Sequence, residues 1–200
     1  DFVEGLNQID RHVGNRSGEP ISFYIEGDLS DPVNLARLKG RISEIRGLDE
    51  PALARDDQGV RIETGVFELF DRTFESAVMA DLVLEQTQVA ITDTNNDAIP
   101  DSAEQVRALV QVAAQIGVPL DAERLAMTPD DVAIIVDLQD GSDDATVLAL
   151  EVVNSRDQGS VRAARSALEP FADAVSVDLG GTFVQTTGSA FVREASLEGT

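Results

Sequence analysis

Residues 19–47, EPISFYIEGDLSDPVNLARLKGRISEIRG, hold the pattern from which the rest of the chain can be read. Within 19–27, Ile21, Phe23 and Ile25 alternate with Ser22, Tyr24 and Glu26, the period of two that predicts a strand with one buried face. Ser30-Asp31-Pro32 then supplies a capping side chain and a proline at the first helical position, where the missing N–H is harmless. Leu35, Leu38, Ile42 and Ile45 recur at spacings of 3, 4 and 3, a helical stripe that stops at Gly47. A strand running straight into a helix is half of a β-α-β crossover.

The same grammar returns late in the chain. Residues 145–153, ATVLALEVV, are apolar on both faces and predict a more central strand. After the turn Asn154-Ser155-Arg156-Asp157, the stripe Val161, Ala164, Leu168 and Phe171 repeats the spacings 3, 4 and 3. An offset of 126 carries Asp28 onto Asn154, Asp31 onto Asp157, Leu35 onto Val161, Leu38 onto Ala164, Ile42 onto Leu168 and Ile45 onto Phe171. This is an internal repeat of pattern with little identity. Each unit calls for a returning strand, with 182–187 the candidate for the second and 60–63 a weaker one for the first.

Two strand-helix-strand halves sharing a sheet make an α+β fold of the ferredoxin-like, split β-α-β kind. The residues between the halves read mainly helical. A helix is expected over 67–81, and another over 101–116 with Val106, Leu109, Val110 and Ala113 on one face and Gly117 closing it. Thr128-Pro129-Asp130-Asp131 opens a further short helix by the cap-then-proline rule. This middle region is expected as an insertion packed at one end of the sheet.

Composition limits the function. The chain has 200 residues, 15 Lys+Arg against 37 Asp+Glu and a net charge of −22, so no nucleic-acid partner and no anionic membrane surface is expected. Lys39 is its one lysine, and aspartate outnumbers glutamate 22 to 15. Such a carboxylate surface suits a protein kept soluble in concentrated salt, which points to a salt-adapted source, with an acidic mesophilic protein as the alternative. Hydrophobic residues make up 42%, enough for a core, but aromatic residues only 4%, too few for a stacking platform. Cysteine is absent, which removes disulfides and thiolate chemistry. The longest apolar runs fall far short of the ~20 residues of a membrane span. The chain starts at Asp1 with no signal-peptide pattern and reads as a piece of a longer or processed polypeptide.

The densest polar motif is Asp93-Thr94-Asn95-Asn96-Asp97-Ala98-Ile99-Pro100-Asp101-Ser102-Ala103-Glu104. Side-chain oxygens of Asp93, Asn95, Asp97, Asp101 and Glu104, with the backbone carbonyl of Ile99, have the spacing that wraps a hard cation such as Ca²⁺. Ala98 stands where such loops use glycine for a left-handed turn, at a cost of about 1 kcal/mol. An Asx-rich turn capping a helix at Asp101 is the competing reading. A metal here ties down a loop rather than catalyses. His12, the one histidine, sits in a polar stretch with no nucleophile motif. Acid pairs at Asp56-Asp57, Asp130-Asp131 and Asp143-Asp144 are expected by chance at this composition, and Gly180-Gly181 lacks a phosphate-loop context. No residue qualifies as catalytic, so the chain is not expected to be an enzyme.

Four segments in order, residues 21–32 (ISFYIEGDLSDP), Asp93 to Asp101, 145–153, and Thr186-Thr187-Gly188-Ser189-Ala190, resemble the first large extracytoplasmic loop of resistance-nodulation-division (RND) superfamily exporters, nearest to the MMPL-like, hydrophobe-exporter branch. The resemblance spans residues 19–200. It implies a porter-type domain at the extracytoplasmic side of a cell membrane, in a protein that uses an ion gradient for the efflux of lipids or hydrophobic compounds. On this division, 1–18 leads in from a membrane helix, 19–66 is the first β-α-β half, 67–140 the helical insertion with the Asp-rich loop, and 141–200 the second half and lead-out. Implied partners are the parent's own transmembrane helices and second extracytoplasmic loop, a hydrophobic or lipid substrate, and further copies in a homo-oligomer. The family's proton-relay carboxylates belong to membrane helices, so none transfers to this chain. Leu69, Phe70, Phe74, Val78 and Met79 are the candidates for lining a substrate cleft, with core packing as their other use. The alternative is a secreted, calcium-stabilised surface or adhesion module with no transport role.

The charge surplus yields a direct expectation. The melting temperature should rise steadily as KCl is added from low ionic strength, because the Debye length falls from ~30 Å at 0.01 M to ~3 Å at 1 M. A melting temperature that falls with added KCl would show that attractive pairs outweigh the repulsion.

Overall fold

The structure, a computed structural model, describes residues 19–63, 65–119, 124–138, 145–154, 158–178 and 183–187. Helices and antiparallel strands combine in an α+β arrangement. The elements run β1 (Glu19–Gly27), α1 (Pro32–Arg46), β2 (Arg55–Asp56), β3 (Gly59–Val60), β4 (Ile62–Glu63), α2 (Val66–Glu75), α3 (Ala77–Thr87), α4 (Ala103–Ile116), β5 (Val118–Pro119), β6 (Leu125–Met127), α5 (Pro129–Ile135), β7 (Val136–Leu138), β8 (Ala145–Asn154), α6 (Gln158–Asp178) and β9 (Phe183–Thr187).

The main sheet has the order β4-β8-β1-β9, with all neighbours antiparallel. β1 pairs with β8 from Glu19↔Asn154 to Gly27↔Ala145 and with β9 from Ser22↔Thr187 to Glu26↔Phe183. Because β1 occupies one edge of β8 along its whole length, β4 and β7 share the other edge, β4 at Glu151 and Val152 and β7 from Ala145 to Val147. Strand β8 is therefore interior, as its two-faced apolar sequence predicts. Each long helix joins two parallel strands with one antiparallel strand between them: α1 lies between β1 and β4, α6 between β8 and β9. The β1–β8 register passes from Phe23↔Leu150 to Tyr24↔Leu148, so β8 carries one extra residue there, a bulge that increases local twist.

The predicted stripes are the buried ones. In α1, Leu35, Leu38, Ile42 and Ile45 are buried, and in α6 so are Ala164, Leu168, Phe171 and Val175; the side chain of Val161 lies outside those described. The two helices touch each other. Phe23 of β1 meets Phe171 of α6 edge to face, with ring centroids 5.0 Å apart at 72°, an arrangement favoured by the ring quadrupoles. Asp31 caps α1 by accepting from the Val33 N–H at 2.9 Å, with Pro32 in the first turn.

The middle region departs from its expected form at one point. A single helix over 67–81 is expected, but two helices meet at Ser76, whose backbone is extended (φ −122°, ψ 110°). Continuing the stripe Val66, Leu69 or Phe70, Thr73 at 3.6 residues per turn reaches about 77 and 80, whereas among the described side chains of α3 the buried ones are Met79 and Val83 and Ala80 is only half-buried. The apolar face changes phase, and one straight helix cannot bury both stripes. Helix α4 starts at Ala103 with Ser102 as its cap, two residues after the expected start, and buries Ala108 and Val112 beyond the expected face. Its end at Gly117 (φ 76°) is a true glycine position, since a Cβ would stand 2.4 Å from the Met127 carbonyl oxygen. Thr128 and Asp131 form a reciprocal capping box on α5. Strand β7, unforeseen from sequence, lets the middle region extend the main sheet.

Two segments far apart in sequence share one core through the Phe23 and Phe171 rings. Phe23→Leu and Phe171→Leu should each destabilise, and the double variant should lose about 0.5–1.5 kcal/mol less than the sum. Strictly additive losses in urea denaturation would mean that the two rings do not act as a pair.

Candidate functional site

The segment from Thr92 to Gln105 links α3 to α4 and carries the densest set of polar contacts among the described residues. It coils tightly because Asn96 and Ala98 both take left-handed backbone, each at φ 57°. Ala98 thus adopts the turn for which glycine is the usual residue, and the loop compensates with side-chain acceptors. The two oxygens of Asp93 accept from the backbone N–H groups of Asp97 at 3.1 Å and Ala98 at 2.8 Å. Asp97 accepts from the Ile99 N–H at 2.9 Å, and Asn95 accepts from the Asp97 N–H at 3.2 Å. Asn95 Nδ2 also donates to Asp97 Oδ2 at 2.9 Å.

Asp101 faces the other way. It accepts from the Thr92 hydroxyl at 2.7 Å and from the Thr94 N–H and hydroxyl at 2.9 and 3.1 Å. These donors, the Thr92 hydroxyl foremost and then the Thr94 amide, hold its carboxyl below the usual range. The helix cap that an Asx turn at Asp101 would supply comes instead from Ser102, which accepts from the Gln105 N–H at 3.3 Å. Lys39 Nζ, reaching across from α1, donates to the Asp97 carbonyl at 2.5 Å and fastens the loop to the first half. Ile99 is buried beneath it.

Asp93, Asn95 and Asp97 are therefore brought together, whereas Asp101 turns to its threonines and Glu104 is exposed on the first turn of α4. Among the described residues no three or more His, Cys, Asp or Glu side chains form a metal-holding group. The oxygens of Asp93, Asn95 and Asp97 are taken up by donors of the loop itself, and Asp101 and Glu104 would have to rotate inward before the six expected ligands could surround a cation.

Of the candidate cleft residues, Leu69, Phe70 and Met79 are fully buried, Phe74 is half-buried against the core, and Val78 is exposed. Asp56 accepts from the Gln58 N–H at 2.8 Å in the β2–β3 turn, and Asp131 serves its helix cap. His12, Asp143-Asp144, Gly180-Gly181 and Gly188 to Ala190 lie outside the described residues. Sequence reasoning did not single out Arg41, which bridges the two halves: its Nε donates to Asp178 at 2.7 Å while its Nη1 reaches Glu44 at 2.9 Å. Only the end of α6 coming back to α1 makes that contact, so no local signal announces it. Comparison with protein-family models, curated proteins and solved structures returned no match.

Three carboxylates share one electrostatic direction. Asp101 is lowered by its threonines, Asp131 by the Thr128 amide and then hydroxyl, and Asp178 by its hydrogen bond to Arg41. A carboxylate with a depressed folded pKa adds stability above its unfolded value, about 3.9, and that stability is lost as pH falls through the folded value. In about 1 M KCl, where general repulsion is screened, the melting temperature should drop as pH falls below about 4.5. Asp101→Asn, Asp131→Asn and Asp178→Asn should each flatten part of that drop; an acid limb unchanged in all three would contradict the assignment.

Proposed function

We propose that the chain is an extracytoplasmic domain of an RND/MMPL-type exporter, standing outside the cell membrane between two membrane helices, and that its role is conformational, not enzymatic. The observation that carries this reading is the pairing of Ser22 with Thr187. It brings the start of the first strand and the end of the last strand side by side, which a domain looped out between neighbouring membrane helices requires. The sheet order β9-β1-β8-β4 with two interleaved crossovers supports a ferredoxin-like, split β-α-β domain of the porter type.

In this reading the substrate is a lipid or other hydrophobic compound, moved by an ion gradient that acts on the parent's membrane helices. Most of the apolar residues proposed to line its path are closed within α2 and α3, so the path opens by parting these helices. The extended backbone at Ser76 supplies a natural hinge. Calcium, where bound by Asp93, Asn95, Asp97, the Ile99 carbonyl, Asp101 and Glu104, would stiffen the loop that leads from α3 into α4. The further partners are the parent's second extracytoplasmic loop and other copies of the exporter.

The chain contains no cysteine, so Val177→Cys, at a site 78% exposed, gives the parent protein a unique thiol in this domain. A membrane-impermeant maleimide should label it in intact cells, and the parent frame should carry apolar spans of ~20 residues on both flanks. Labelling only after lysis, or flanks without such spans, would overturn the reading. Recovery of the labelled protein from the medium, together with calorimetric binding of Ca²⁺, would favour the surface module instead.

A further inference from the structure

Helix α1, the β2–β3 hairpin and α2 border a half-open pocket of about 300 Å³, at the lower end of the range of small-ligand sites. Its wall includes Lys39, Ile42, Arg46, Gln58, Phe67 and Asp71. The hairpin is pressed close to the helix: Gly59 has φ 122°, and a Cβ there would stand 2.1 Å from the Arg46 carbonyl oxygen, so only glycine fits. This approach puts Gln58 against the Arg46 guanidinium, which donates to its Oε1. Lys39 and Arg46 are seven residues apart, two turns along one face of α1.

Among the described residues, neither Lys39 nor Arg46 has a carboxylate within ion-pair distance. Lys39 donates to the Asp97 carbonyl and stands 5.8 Å from the centroid of the Phe67 ring. Arg46 donates to the neutral Gln58 amide. An ammonium has three N–H donors and a guanidinium five, so both retain donors for a ligand. Ile42 and Phe67, each buried, make part of the wall apolar, and Asp71 is its one carboxylate. The wall therefore carries a formal charge of +2 − 1 = +1 within a molecule of −22.

We propose that this pocket is a binding site for a small organic monocarboxylate, with the charged end between Lys39 and Arg46 and the apolar body against Ile42 and Phe67. A single negative charge neutralises the wall, whereas a dianion meets Asp71. At ~30 Å³ per water the volume corresponds to about ten waters, room for a body of similar atom count and too little for a long acyl chain. The site needs only α1, α2 and the hairpin and stands whether or not the chain belongs to an exporter.

Benzoate titrated calorimetrically into the 200-residue chain tests it. Saturable one-to-one binding is expected, weakened at least tenfold by Arg46→Gln and by Lys39→Met. Asp71→Asn should tighten benzoate and admit inorganic phosphate, while Arg165→Gln on α6 should change nothing. Unaltered melting of Arg46→Gln separates loss of the site from loss of the fold. The proposal fails if no saturable heat appears at about 10 mM benzoate, or if binding is indifferent to Arg46→Gln and Asp71→Asn.

Discussion

Strand β1 is held on both edges by chain that arrives much later, and every other placement in the molecule follows from this. Its first pair, Glu19 with Asn154, closes a loop of 154 − 19 = 135 residues. Closing a loop of that length costs about 4 kcal/mol beyond a constant, by the (3/2)RT ln n relation. The ladder alone does not offset this, because backbone hydrogen bonds largely replace bonds to water. Burial does: Phe23 and Ile25 are fully enclosed, and each such side chain contributes about 1.5–3 kcal/mol. The strand's alternating pattern is thus the condition for a sheet made from both ends of the chain.

The residues joining β1 to α1 show how a short motif can be structural throughout. Asp28 accepts from the Ser30 hydroxyl at 2.7 Å, and its carbonyl accepts from Asn34 Nδ2 at 2.9 Å. Ser30, fully buried, also accepts from Arg107 of α4 at 2.9 Å. Leu29 fills the core, Asp31 caps the helix and Pro32 starts it. A buried hydroxyl with both a donor and an acceptor role met is stable, whereas one left without partners costs about 1–3 kcal/mol. The motif thereby fastens the middle region to the first half, and Lys39 repeats the attachment one helix face away.

What was legible in the sequence is what a local period encodes. The strand at 19–27, both helical stripes and the Asp31 and Thr128 caps each rest on residues within a few turns of one another, and the 126-residue repeat is a comparison of two such local patterns. The break at Ser76 was hidden because apolar residues recur at helical spacings on both sides of it with no glycine or proline between, and a phase change of that kind shows only once one knows what each side packs against. Strand β7 was hidden because three residues carry no periodicity, and its existence depends on the free edge of β8. At the Asp-rich loop, the spacing of oxygens was readable, but the direction in which Asp101 points was not, since it is decided by Thr92 and Thr94 donors brought close by the coil. The pocket beside Lys39 joins residues from three elements, and its wall has no sequence pattern of its own.

The distribution of charge bears on which forces can hold such a molecule. The Arg41–Asp178 pair is about a third exposed on each side, and the other described pairs are more exposed still. Exposed pairs contribute little even in dilute buffer, and salt screens them further. The repulsion among a surplus of 22 negative charges is screened by the same salt, so both electrostatic terms shrink together. What remains is the aliphatic core shared by α1, α6 and the sheet, which kosmotropic salts such as sulfate strengthen further through their exclusion from the protein surface. A carboxylate surface over an aliphatic interior thus gains from any salt by losing its repulsion and from a kosmotropic one a second time by stronger burial, and neither gain depends on any single ion pair.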